Sequence, residues 1–209
     1  WEANLDKALS FDPPHISSYA LTVEPKTVLH HQVKNHEIKL LDEETVKQQY
    51  DLLILKLGEA SYENYEFSNF GKSGFRSVNN TNYWSGKPYL GIGPSAHSYD
   101  GVRTRSWNIS NNIKYIKVIE NGDLPISKEV LKDHEVFNEY VMIGLRTKGV
   151  SLKHINNTFG SKYVDYLEKQ AENHQIEQLV YWDGDVLKVS TKAKFLSDGI
   201  AADLFMLRG

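Results

Sequence analysis

The chain has 209 residues, 40% of them apolar and 24% charged, enough for one sizeable core and a smaller second one. A formal net charge of −3 gives no field that would gather nucleic acid or anionic lipid, and the absence of cysteine removes disulfides, thiolate nucleophiles and iron–sulfur ligation from this polypeptide. No apolar run approaches the roughly 20 residues that span a bilayer, and no basic-then-apolar leader opens the chain, so the expected location is the cytoplasm.

Trp1, Leu5, Ala8 and Leu9 fall at helical spacing with neither an initiator methionine nor a capping residue ahead of them. A chain that opens inside a helix leads us to expect an upstream portion. Residues 15–21 read as a buried strand, and 28–38 as a short helix or an excursion. Asp42 is a suitable N-cap, with Glu43 and Glu44 favouring the helix dipole in the first turn. That helix turns Val46, Tyr50, Leu53, Ile54 and Leu57 to one face and ends within 58–61. Residues 62–67 alternate as a strand does, while 68–88 are loop-like around Tyr83 and Trp84.

Residues 89–93 read as a short strand, 103–108 as another, and 111–120 as a helix stopped at Asn121 and Gly122. A linker through Pro125 places a domain boundary between 124 and 125. Beyond it, Ser127 with Glu129 nearby is expected to cap a helix through Val136, Tyr140, Ile143 and Leu145. Two more helices follow at 151–157 and 162–174, then strands at 179–182 and 186–190 joined by Asp183 and Gly184. Thr191 is expected to cap a last helix burying Phe195, Ile200, Leu204 and Phe205. Helices followed by a hairpin and a helix make a winged-helix-like tail.

Several short patterns fail on context. Residues 91–96 fit G-x-G-x-x-A, but no helix opens directly behind them and no acidic residue follows in a second strand. Those glycines are expected to let backbone approach a ligand. Gly93, Ser95 and His97 half-resemble a nucleophile elbow whose last glycine is missing, and Asp100 is too near in sequence to complete a triad. His30, His31 and His36 lack the further ligands a metal needs, and Tyr62, Tyr65, Phe67 and Phe70 lack the basic groove of a base-stacking platform. The tail, residues 125–209, carries eleven Lys/Arg against twelve Asp/Glu, a net charge of −1 that argues against DNA binding.

Three segments carry a resemblance that covers essentially the whole chain. Residues 15–25, HISSYALTVEP, resemble the H-I-S-x-Y-x-L-x-x-E-P strand and loop of the oxygen-independent coproporphyrinogen III oxidase-like radical SAM family. Residues 62–71, YENYEFSNFG, resemble its Y-E-x-Y-E-I-S-N-F-A. Tyr83-Trp84 and residues 89–99, YLGIGPSAHSY, resemble its Y-W…Y-x-G-x-G-x-x-A-H-S-Y run. Details at Ser68, Asn69, Phe70 and 94–99 resemble the heme-chaperone branch.

The resemblance implies an α/β fold: the last strands and helices of a partial (β/α)6 TIM-type radical SAM barrel over 1–124, then the winged-helix-like domain over 125–209. It implies S-adenosylmethionine and a [4Fe–4S] cluster in the full-length parent. About 170 further residues are then expected upstream, since such a barrel needs roughly 200 residues or more, and the cluster's C-x-x-x-C-x-x-C triplet is expected within them. By similarity Ala20 and His97 border the S-adenosylmethionine site, and Asn79, Asn80, Tyr83 and Trp84 occupy the heme motif H-N-x-x-Y-W. Asn79 stands where the motif has histidine, and a carboxamide is a poor iron ligand. The implied roles are heme binding and delivery to an acceptor protein or, alternatively, oxidative decarboxylation of coproporphyrinogen III. Neither role is expected of this chain alone.

Overall fold

In the computed structural model, which describes residues 1–207, the chain divides into two compact units, Trp1–Ser77 and the residues from Val78 onward. The first holds α1 (Glu2–Ser10), β1 (His15–Ser17), α2 (Val28–Lys34), α3 (Glu43–Glu59), β2 (Glu63–Asn64) and β3 (Asn69–Gly71). Helix α3 starts where the sequence directs: the Asp42 carboxylate accepts from the Thr45 N–H at 2.8 Å and its hydroxyl at 2.9 Å. Tyr50, Leu53 and Leu57 are buried along one face of α3, and Leu5 of α1 is buried too. Lys56 ties the two helices by ion pairs to Glu2 and Asp6 at 2.9 and 2.6 Å.

The first sheet runs β1-β3-β2, antiparallel throughout. Strand β1 is shorter than expected and only partly buried. It is an edge strand whose partner is three residues long, so pairing ends with Ser18 N–H donating to the Ser68 carbonyl at 2.8 Å. Ala20 therefore stands beyond the strand, exposed, rather than at its end. Strand β2 also stops early. The Ser68 N–H donates to the Glu66 side chain at 3.0 Å and the Asn64 amide to the Glu66 carbonyl at 2.5 Å, local bonds that turn the chain instead of extending it.

The second unit opens with α4 (Val78–Trp84), β4 (His97–Tyr99), β5 (Thr104–Asn108), α5 (Asn112–Glu120) and β6 (Ile126–Val130). Residues 78–84, expected as loop, are helical. The expected strand at 89–93 reduces to a single bridge between Tyr89 and Tyr99, and 97–99 is the strand. Strand β6 lies where a helix start was expected. Ser127 and Glu129 are only two apart, whereas a capping pair needs three; Lys132 and Glu135 have that spacing, and the Glu135 carboxylate accepts the Lys132 N–H at 2.7 Å. Strand β6 completes the sheet β4-β5-β6, so pairing crosses the 124/125 boundary within this unit.

The tail then runs α6 (Asp133–Arg146), β7 (Val150–Ser151), α7 (Leu152–Phe159), α8 (Ser161–Ile176), β8 (Val180–Asp183), β9 (Val186–Val189), a 3-10 segment (Thr191–Leu196) and α9 (Ser197–Asp203). The sheet order β7-β9-β8, with the short β7 not foreseen, gives the helix–strand–helix–helix–hairpin order of a winged helix. Asp183 pairs with Val186, so the turn residues are Gly184 and Asp185, one later than expected. Thr191 lies inside the 3-10 segment and caps nothing; α9 starts at Ser197. Phe137 and Val141 of α6, Ile155 of α7, Leu167 of α8, Leu187 of β9 and Leu204 form the buried centre. Phe195 and Phe205 are only half-buried. Gly149, between α6 and β7, has φ +100°, and a Cβ there would meet the Leu187 carbonyl at 2.7 Å, so the close packing of this loop on β9 requires glycine. All ladders among the described residues are antiparallel; the parallel pairing of a βα barrel is not made within them.

Candidate functional site

Two of the three motif segments meet in the first unit. Register places Ser17 opposite Asn69, and the Ser17 hydroxyl donates to the Asn69 side-chain carbonyl at 2.5 Å. The Asn69 amide donates to the buried Glu66 carboxylate and lies 3.5 Å from the Tyr19 hydroxyl. His15 Nε2 and the Tyr65 hydroxyl share a hydrogen bond at 2.8 Å, and the same hydroxyl accepts from the Ser77 N–H at 3.3 Å. Arg76 covers the Tyr65 ring at 5.7 Å. Tyr50, stacked on Phe67 at 5.0 Å, has its phenol pushed well above its ordinary value by burial and then by the Glu66 charge. The aromatic residues of this motif thus serve the packing and a polar clasp. The clasp fixes 15–19 against 65–69 and leaves Tyr19, Ala20 and Leu21 at the surface.

The third segment lies in the second unit. On α4, Asn79 and Tyr83 are exposed, while Asn80 and Trp84 are half-buried. Each pair is four residues apart, so the motif forms two stripes on one short helix. That i, i+4 spacing was the available signal for helix here, masked by a run of Asn and Thr. The Trp84 ring meets Tyr83 edge-on at 5.3 Å and carries the Arg146 guanidinium at 5.7 Å. From Tyr83 an aromatic file continues to Tyr89 at 5.5 Å and Tyr99 at 6.3 Å, under Arg105, which pairs with Glu139 at 2.8 Å. Tyr89, read from the sequence only as the first residue of the 89–99 segment, is thus the link between α4 and β4.

Gly91 is pressed against β4: its N–H donates to the Ser98 hydroxyl at 2.9 Å, and a Cβ on it would fall 2.1 Å from the His97 carbonyl. The close approach at Gly91 is to the protein's own strand, while Gly93 has open space where a Cβ would stand. The alternation leaves Leu90 and Ile92 exposed, at 79% and 86%. One Asp100 oxygen accepts the N–H groups of Val102, Arg103 and Thr104 at 2.8 to 2.9 Å, which holds its carboxyl at about 2 and commits it to a turn rather than to a triad. The exposed His97 ring lies 6.2 Å from Trp107. His30 and His31 touch edge to face, and among the described residues no group of three or more His, Asp or Glu side chains can hold a metal. With no cysteine either, these residues do not fit an iron–sulfur cluster.

No protein-family model matches the chain. In structure it is similar to the radical SAM coproporphyrinogen III oxidase of Escherichia coli, with a TM-score of 0.73 over 98% of this chain and 50% of that one, at 17% identity. The fold is therefore that of half of a radical SAM enzyme of this type. Heme chaperone HemW of Bacillus subtilis is 34% identical over 86% of this chain, and that of Mycobacterium tuberculosis 29% over 96%. The mouse mitochondrial radical S-adenosyl methionine domain-containing protein 1 is 32% identical over 74%. The chain spans about half the length of the two chaperones, 50% in each case. In sequence and in fold the chain is thus similar to about half of an oxygen-independent coproporphyrinogen III oxidase-like radical SAM protein, proteins named heme chaperone among them.

Proposed function

We propose that this chain is part of a cytoplasmic heme chaperone, in which α4 contributes to a surface that takes up heme and passes it to an acceptor protein. The observation that carries this is the similarity to proteins named heme chaperone, together with the motif residues Asn79 and Tyr83 standing exposed on one side of α4. The oxidase reading has the fold likeness alone behind it. No helix among the described residues is long and apolar enough to cross a membrane.

Heme is here a cargo: the protein's task is to bind the macrocycle and release it intact. The exposed Tyr83, and Leu90 and Ile92 beyond Tyr89, offer the kind of apolar surface a macrocycle covers. S-adenosylmethionine and a [4Fe–4S] cluster belong to the whole family protein in this reading, with Ala20 and His97 as S-adenosylmethionine contacts by similarity and the cluster ligands supplied from outside this chain. Residues 1–124 carry the barrel portion and 125–209 the winged-helix-like domain. The test is titration of the full-length protein with hemin, followed by mixing with apo-myoglobin. Saturable binding with transfer is the expected result; hemin that stays in free or aggregated form would refute the heme-handling reading.

A further inference from the structure

Among the described residues, no side chain from Val78 through Val130 is buried, whereas burial resumes at Leu131 and continues through the tail. This stretch holds the three-stranded sheet β4-β5-β6 and α5, and a sheet of that size needs one face packed to be stable in water. Helix α5 shows where cover is missing. Of its apolar side chains only Tyr115 and Val118 are even half-buried. Ile113, Ile116 and Ile119, neighbours in steps of three along one side, stay exposed at 67%, 52% and 42%. A nine-residue helix does not hold itself together in water; its stability has to come from packing an apolar face.

We infer that the isoleucine side of α5 is an internal docking surface, covered in the whole family protein by an apolar segment from the half of the polypeptide that lies outside this chain. Composition and length choose that occupant. The exposed apolar side chains from Val102 through Val130 are all aliphatic, and residues 112–130 carry three Lys against three Asp/Glu. Transient protein partners select aromatic side chains and arginine, and anionic lipid and nucleic acid call for net positive charge. An aliphatic, neutral face is that of a core divided in two. The chain covers 50% of the Bacillus subtilis heme chaperone and 50% of the Escherichia coli oxidase, so as much polypeptide again accompanies it in proteins of this kind. A second copy is the poorer occupant, since α5 is only about 14 Å long and a stable dimer buries about 800 Å² on each partner. A segment of the same polypeptide needs far less area, because the covalent link keeps it at high effective concentration. The inference rests on this half-length match and not on heme handling.

The experiment uses the full-length protein with the photo-crosslinking residue p-benzoylphenylalanine in place of Ile116 in one variant, of Ile113 in a second, and of Lys114, on the other side of α5, in a third. Circular dichroism checks that each folds. Denaturing gels separate links within one molecule from links between two, and mass spectrometry identifies the linked peptide. The expected result is a link within one molecule, from either isoleucine position to a peptide outside this chain, with little from position 114. In a further variant, Ile116→Lys, the α5 amides are expected to exchange hydrogen roughly 10-fold faster than in the unaltered full-length protein, as in a helix that has lost its cover. Links to a second copy or to residues within this chain would overturn the inference. So would no link from either isoleucine position, an equal yield from position 114, or unchanged exchange in Ile116→Lys.

Discussion

The Ser17 hydroxyl and the Asn69 carboxamide join two segments 52 residues apart, directly across β1 and β3. Asn69 also donates to Glu66, a carboxylate with little access to water. Asn69→Leu would leave both partners short of a bond and is expected to destabilise the chain by about 2 kcal/mol, within the range for stranded buried polar groups. Ser17→Ala is expected to cost about 1 kcal/mol. Urea melts of both variants and the double variant check this: shared partners make the double variant cost less than the two singles added together.

Asn79→His supplies an imidazole at the exposed first position of the motif, so hemin affinity is expected to rise and the Soret band to shift. Trp84→Ala is expected to cost about 2 kcal/mol, less than for a fully buried aromatic, because the ring is only half-buried between Tyr83 and Arg146. Hemin titrations and thermal melts of both variants read the two roles apart. An unchanged Soret band in Asn79→His beside a destabilised Trp84→Ala would reduce the motif to packing.

Legibility from the sequence followed whether local signals met a partner. The Asp42 cap and the apolar face of α3 were readable because both act within one helix. So were α5, capped by Asn111 at Lys114, and the hairpin β8-β9. Strand lengths were not, since β1 is limited by the three residues of β3 and no local pattern records that. Of the candidate site, the motif segments were recognisable as residues. The meeting of His15 with Tyr65 and of Ser17 with Asn69 depends on register, and the file from Tyr83 through Tyr89 to Tyr99 depends on the bridge between residues 89 and 99.

Asp100 gives a pH prediction. Its carboxyl sits at about 2 against an ordinary 3.8, lowered chiefly by the Val102 and Thr104 N–H groups. A depressed folded value means stability that is present above 3.8 and lost as pH falls through about 2. The Asp100 carboxyl carbon is expected to titrate by NMR near that low value. In Asp100→Asn the decline of stability between about pH 4 and about pH 2 should be shallower.

The winged-helix order of the tail invites a test against duplex DNA. The third helix of such a domain commonly reads a groove, and that helix here is α8. Its exposed charged residues are Lys162, Asp165, Glu168, Lys169 and Glu172, three acidic against two basic. With a net charge of −1 over residues 125–209, the tail lacks the cations that release counterions from phosphate. No duplex binding is expected at micromolar protein and physiological salt. Replacing Asp165, Glu168 and Glu172 by lysine changes the charge of that face by six without touching the buried Tyr163, Leu167 and Ala171. If the acidic face is what prevents binding, the triple variant acquires weak affinity for duplex that disappears as salt is raised. Salt-sensitive gel shifts by the unaltered chain under the same conditions would show the opposite, a nucleic-acid role for the tail.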